Sequence, residues 1–236
     1  MGKILPFLIA LPLATVSQDK TNHFSDSAQL FLESVVVDGM VDYSGIKSHP
    51  QLLNQLVSQI GEFELNQVDA PTRKAFMINA YNILVIKGVV DNYPVSSPMK
   101  INGFFDKQSY QIDGKLVSLN QLEKKMLFIE FPDNRLHFVL VCAALSCPKL
   151  SPNAYLPANL DDQLTDQTRT VMNDKNFIQE SNGKLKVSEI FQWYASDFKG
   201  QSILEYVNRY RDTPSEQGIK IGYYTYDWTL NDQKEL

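Results

Sequence analysis

Cys142 and Cys147 are the only cysteines among 236 residues, and four positions separate them at the end of an apolar run. In an oxidising compartment that spacing suits a small disulfide loop. Alternatively one of them is a nucleophile, which needs its thiol pKa lowered by a neighbouring base or a helix N-terminus. Cys147 is the better placed, because Ser146 and Pro148 mark a turn while Cys142 falls inside the run. Buried, unreactive thiols are a third reading. Of the three histidines, His137 is the candidate base, with His23 and His49 in less structured surroundings. If Arg135 to Ala144 were a strand, His137 and Cys142 would face opposite sides about 16 Å apart, at roughly 3.3 Å per residue. Cys147 would meet His137 only if the chain after Ala144 folded back. The alternative is a core histidine bonded to Glu123 or Asn79.

Other polar residues sit where apolar ones are expected. Asn79 and Asn82, three apart on the most apolar stretch, share a helix face. A buried amide left unpaired costs roughly 1–3 kcal/mol, so a polar partner must meet that face. Asn79 could orient a catalytic base and Asn82 a ligand, or both could brace loop carbonyls such as those near Ser146. Tyr81, Glu123 and Ser146 are further ligand-binding candidates. Glu123 follows Leu122 on an inward-packing helix and is either a buried carboxylate or a solvated neighbour of Lys124 and Lys125. Trp193 with Asp197, and Asp227 with Trp228, form acid–aromatic pairs suited to a saccharide or peptide groove, or to anchoring terminal segments.

The elements that must position these residues follow from periodicity and turn signals. Helices are predicted over 27–37, 51–60 and 73–90, the last apolar on nearly every side, with Pro71 in its first turn and Gly88 near its end. Asp38-Gly39 turns the chain into a short extended piece over 40–43. Asp113-Gly114 and Asn182-Gly183 centre two hairpins, followed by helices from Ser118, with Gln121 at capping-box spacing, and from Ser188 to Phe198. Leu119, Leu122 and Met126 mark the buried stripe of the first. Arg135 to Ala144, RLHFVLVCAA, lacks polar alternation and predicts a central strand buried on both faces. The expected fold is α+β: a mixed sheet with that strand packed on the apolar helix, hairpin–helix units and C-terminal helices.

Six stretches together resemble one known family: FMINAYNILVI (76–86), DNYPVSSP (91–98), SLNQLE (118–123), RLHFVLVCAALSCPKL (135–150), IFQWYASDF (190–198) and YDWTLN (226–231). They look like the domain of unknown function 547, and 137–148 is the most specific part. The family brings no established activity. The recurrence of Cys, His and Asn in its motifs suggests a distant analogy with papain-like or transglutaminase-like cysteine enzymes, in fold and inventory alone.

At the N-terminus Lys3 precedes an apolar run over 4–13, shorter than the roughly 20 residues a bilayer span needs, followed by small residues. The expectation is a signal peptide over 1–17, cut after Ser17, with a retained anchor as the alternative. A single domain over 18–236, without a membrane span, would then reach the periplasm or the exterior. The net charge of −5, or −6 without Lys3, argues against nucleic acid partners. No phosphate-cradling glycine loop, serine elbow or metalloprotease helix is present, three scattered histidines make no zinc site, and Asp161-Asp162 reads as a helix start. No metal or cofactor is expected. Three functions remain open: a thiol-dependent hydrolase or acyl transferase acting on amide bonds, with Cys147, His137 and Asn79 as its catalytic residues; a binding module for a small molecule, glycan or peptide, with a Cys142–Cys147 disulfide; and an envelope scaffold.

Overall fold

The structure, a computed structural model, describes the backbone of residues 13–235 and the side chains of residues 21–234. Most of the expected leader lies outside the described residues. Helix α1 (Leu13–Val35) includes the expected cleavage position. It buries Phe24, Ala28, Phe31 and Leu32, a single helical stripe. Asp38 and Gly39, at φ 50° and 82°, then close a hairpin of β1 (Val36–Val37) and β2 (Met40–Val41). The short α2 (Tyr43–Ser48) and α3 (Gln51–Glu62) follow.

Helix α4 (Ala70–Asn92) is the axis of the molecule. Asp69 caps it by accepting from the Thr72 N–H, Pro71 sits in its first turn, and every residue from Ala75 to Val90 except Lys87 is buried. Burial of a Val, Leu or Ile side chain stabilises by about 1.5–3 kcal/mol, which is why this stretch takes the centre. Gly88 lets a neighbour approach: a Cβ there would lie 2.7 Å from both the Phe104 ring and the Tyr110 hydroxyl.

The predicted hairpins are present. Strands β3 (Ser109–Ile112) and β4 (Lys115–Ser118) turn at Asp113-Gly114, and the Ser118–Gln121 capping box starts the next helix. That helix comprises α5 (Leu119–Gln121), a π-helical segment over Leu122–Leu127 and α6 (Phe128–Glu130). After α7 (Leu160–Asn173), which Asp161 and Asp162 open as expected, β5 (Ile178–Ser181) and β6 (Lys184–Ser188) turn at Asn182-Gly183. The helix expected from Ser188 to Phe198 divides into α8 (Ile190–Trp193) and a 3₁₀ turn over Ala195–Phe198. Beyond α9 (Ile203–Tyr210), the unforeseen β7 (Lys220–Tyr224) pairs parallel to β6 and makes a mixed three-stranded sheet. The fold is α+β.

The central strand is not. Arg135 to Phe138 lie in a 3₁₀ helix over Asn134–Phe138, and the chain beyond runs as a loop. Asp133 accepts from the Arg135 N–H, and the Arg135 guanidinium binds both Asp133 and Asp161, which closes the turn. Burial on both sides was read correctly: Leu136, Val139 and Val141 enter one apolar cluster around α4, while Phe138 and Ala144 enter a second around β6, α8 and α9. An apolar run bounded this way does not by itself distinguish strand from buried turn. The segment's backbone groups are instead satisfied by the Asn82 amide and by the C-terminal stretch, where Asn231 N donates to Ala143 O and Leu145 N to Thr229 O. Ala143, at φ 59°, interrupts any extended run.

Candidate functional site

The loop that replaces the strand brings His137, Cys142 and Cys147 to one cavity of about 260 Å³. Tyr81 from α4 and Glu123 from the π-helical segment line it, and so do Trp193 and Tyr194 around the end of α8 and Tyr226 and Trp228 from the C-terminal stretch. A π-helical segment is uncommon and often marks a functional position. Here it carries the one buried carboxylate of the cavity wall.

Glu123 is 7% exposed. Its two oxygens accept from the Tyr81 hydroxyl at 3.3 Å and the Tyr194 hydroxyl at 3.1 Å. Among the described residues no Lys, Arg or His forms an ion pair with it. Burial raises its pKa; Lys124 and the two phenols work in the other direction. Both tyrosines are themselves pushed above their ordinary range, by burial and then by Glu123, so they remain donors.

His137 is buried, stacked on Phe128 and close against Tyr194. Its Nε2 lies 2.9 Å from Asp197 Oδ2. Burial pulls its pKa down to about 4, outweighing the opposite pull of that carboxylate, so the ring is neutral at pH 7. An ionised carboxylate only accepts, so Nε2 carries the proton and Nδ1 a lone pair. The partner is neither Glu123 nor Asn79, as expected, but Asp197.

The two cysteines form a disulfide, with Cα atoms 6.2 Å apart. The Tyr226 hydroxyl stands 3.0 Å from Cys142 Sγ and 3.1 Å from Cys147 Sγ. The 16 Å separation of His137 and Cys142 expected of a strand does not apply, because the chain turns.

The remaining candidates are spent on architecture. Asn79 donates to Tyr155 O and accepts from Tyr155 N at 2.8 and 2.9 Å. Asn82 does the same for Val139 O and Val141 N, at 2.9 and 3.0 Å. Neither is among the residues lining the cavity. Ser146 accepts from Asp227 N and lines a neighbouring cleft of about 350 Å³ on the other side of Cys147 and Pro148. The split of the late helix separates the expected Trp193–Asp197 pair: Asp197 serves His137, while Trp193 stacks on Trp228 at 5.9 Å. Asp227 accepts from Thr229 N and lines the same neighbouring cleft as Ser146, whereas Trp228 lines the aromatic cavity. Tyr194 and Tyr226 were not singled out in the sequence, although both lie within motifs that were. Among the described residues no three His, Cys, Asp or Glu side chains gather as a metal ion would require, and no helix is long and apolar enough to cross a membrane.

No curated protein and no solved structure matches the chain. The family described as "Protein of unknown function, DUF547" matches residues 65–171, a narrower span than the quoted motifs. The matched span holds Tyr81, Glu123, His137 and both cysteines, whereas Trp193, Tyr194, Asp197, Tyr226 and Trp228 come from beyond it. Over residues 65–171 this chain is similar to the DUF547 family.

Proposed function

We propose that the cavity binds a small ligand bearing an alkylammonium group, in a protein exported to an oxidising compartment. The observation that carries this reading is Glu123: among the described residues a buried carboxylate with no ion pair, hydrogen-bonded by two phenols, in a wall rich in aromatic rings where Lys124 is the one cation and makes no ion pair with it. A cation supplies the countercharge a buried carboxylate lacks, and aromatic faces add cation–π attraction of about 0.5–2 kcal/mol each. Trp193, 47% exposed beside Trp228, offers a flat face for the ligand's apolar part. The disulfide supports the brace expected of a binding module and agrees with export.

The test uses the cavity's own reporters, since Trp193 and Trp228 are the chain's two tryptophans. Titration with n-butylammonium quenches or shifts their fluorescence saturably, and 1-butanol, its uncharged counterpart, binds at least tenfold more weakly, about 1.4 kcal/mol. Equal binding of the two would remove the ammonium reading.

A second reading, the thiol-dependent hydrolase or acyl transferase, draws on one observation: Cys147 and His137, with Asp197 as orienter at Nε2 in place of Asn79, line one cavity. It requires the disulfide to open. Amide hydrolysis that appears on reduction and vanishes on alkylation of Cys147 is its signature.

A further inference from the structure

We propose that the Cys142–Cys147 disulfide is a thiol–disulfide exchange centre, reached through the aromatic cavity by a small thiol that attacks Cys142 and expels Cys147 as thiolate. Exchange requires that the attacking thiol reach the sulfur. Here both cysteines line the cavity and both are only half-buried.

The surroundings of the two sulfurs differ. Cys147 Sγ accepts from the Cys142 backbone N–H at 2.9 Å and from the Tyr226 hydroxyl at 3.1 Å. Cys142 Sγ has only the Tyr226 hydroxyl, at 3.0 Å, and one phenolic proton serves one sulfur at a time. Negative charge on a departing sulfur is therefore better met at Cys147, where an N–H and an O–H converge. Burial holds the Tyr226 pKa above its ordinary value, so the phenol keeps the proton it donates.

The exchange balances with a thiol as the named co-reactant. A thiolate RS⁻ attacks Cys142 Sγ; the RS–SCys142 bond forms, the Cys142–Cys147 bond breaks, and its electron pair leaves on Cys147. A second RS⁻ attacks the mixed disulfide at the R sulfur, releasing RSSR and the Cys142 thiolate. Two external thiols are oxidised and one protein disulfide is reduced. The inference is independent of what the aromatic wall binds, and the uncharged 2-mercaptoethanol used to test it keeps the two separable.

The oxidised full chain is mixed with 2-mercaptoethanol at fixed pH, quenched with acid, alkylated with iodoacetamide and followed by intact mass and peptide mapping, beside the same chain unfolded in urea. The expected result is exchange in the native protein at least as fast as in the unfolded one. The transient adduct is on Cys142 and the alkyl group on Cys147. Tyr226→Phe, checked for its native melting transition, slows native exchange about tenfold while leaving the unfolded rate unchanged. Native exchange slower than in urea, or an adduct that accumulates on Cys147, overturns the proposal.

Discussion

Asn82 holds the loop that carries both cysteines. Its amide supplies one donor and one acceptor to backbone groups of Val139 and Val141 that no ladder reaches. Asn82→Ala leaves both unpaired and is expected to cost about 2–5 kcal/mol in denaturant unfolding; Asn79→Ala, by the same logic at Tyr155, costs a similar amount. A loss under 1 kcal/mol for either would contradict the bracing role. His137 makes a pH prediction. Its pKa is about 4 in the folded protein against roughly 6.5 for a free histidine, so the unfolded chain takes up the proton first. The stability this group contributes is complete above about pH 6.5 and is lost as pH falls towards 4. His137→Gln should flatten the fall in melting temperature between pH 7 and 4.5, and an unchanged slope would refute the assignment. The asparagines' need for partners was legible in the sequence; the partners were not, because they are backbone atoms of a loop read as strand.

Elements with a local chemical cause were legible: the hairpins at Asp113-Gly114 and Asn182-Gly183, the capping box at Ser118, and α4 from its Pro71 and unbroken apolar run. What failed depended on distant contacts. The Arg135 turn is set by Asp133 and Asp161, and β7 exists only because β6 is there to pair with it. The Ser118 cap starts the helix whose π-helical segment presents Glu123, so Ser118→Ala should cost about 1 kcal/mol in stability. Gly88→Ala tests the packing of α4 against the Phe104 region. Although alanine is the better helix former, the 2.7 Å approach makes the change destabilising, by about 1–3 kcal/mol, in a thermal melt. A gain in stability would show that the neighbours yield freely.

At the scale of the whole molecule, the segment over 135–147 is the seam between two apolar clusters, and the cavity opens where that seam meets α4, the π-helical segment, α8 and the C-terminal stretch. The candidate residues Tyr81, Glu123, His137, Cys142 and Cys147 were legible because each is a polar or reactive type in an apolar context. Their convergence with Tyr194, Tyr226 and both tryptophans was not, since it joins stretches up to 147 positions apart, Tyr81 to Trp228. The central claim is that Glu123 is the anionic floor of a site for a cationic ligand. The most direct measurement is calorimetric titration of n-butylammonium into the wild-type protein and Glu123→Gln, each checked for its native melt, across a pH series. Glu123 is raised in the free protein, so a cation favours its ionised form. Wild-type affinity should fall as pH drops below the raised pKa, with protons released on binding. Glu123→Gln should bind at least tenfold more weakly, without that pH dependence. Equal affinity in the two proteins, with no proton release, would contradict the account.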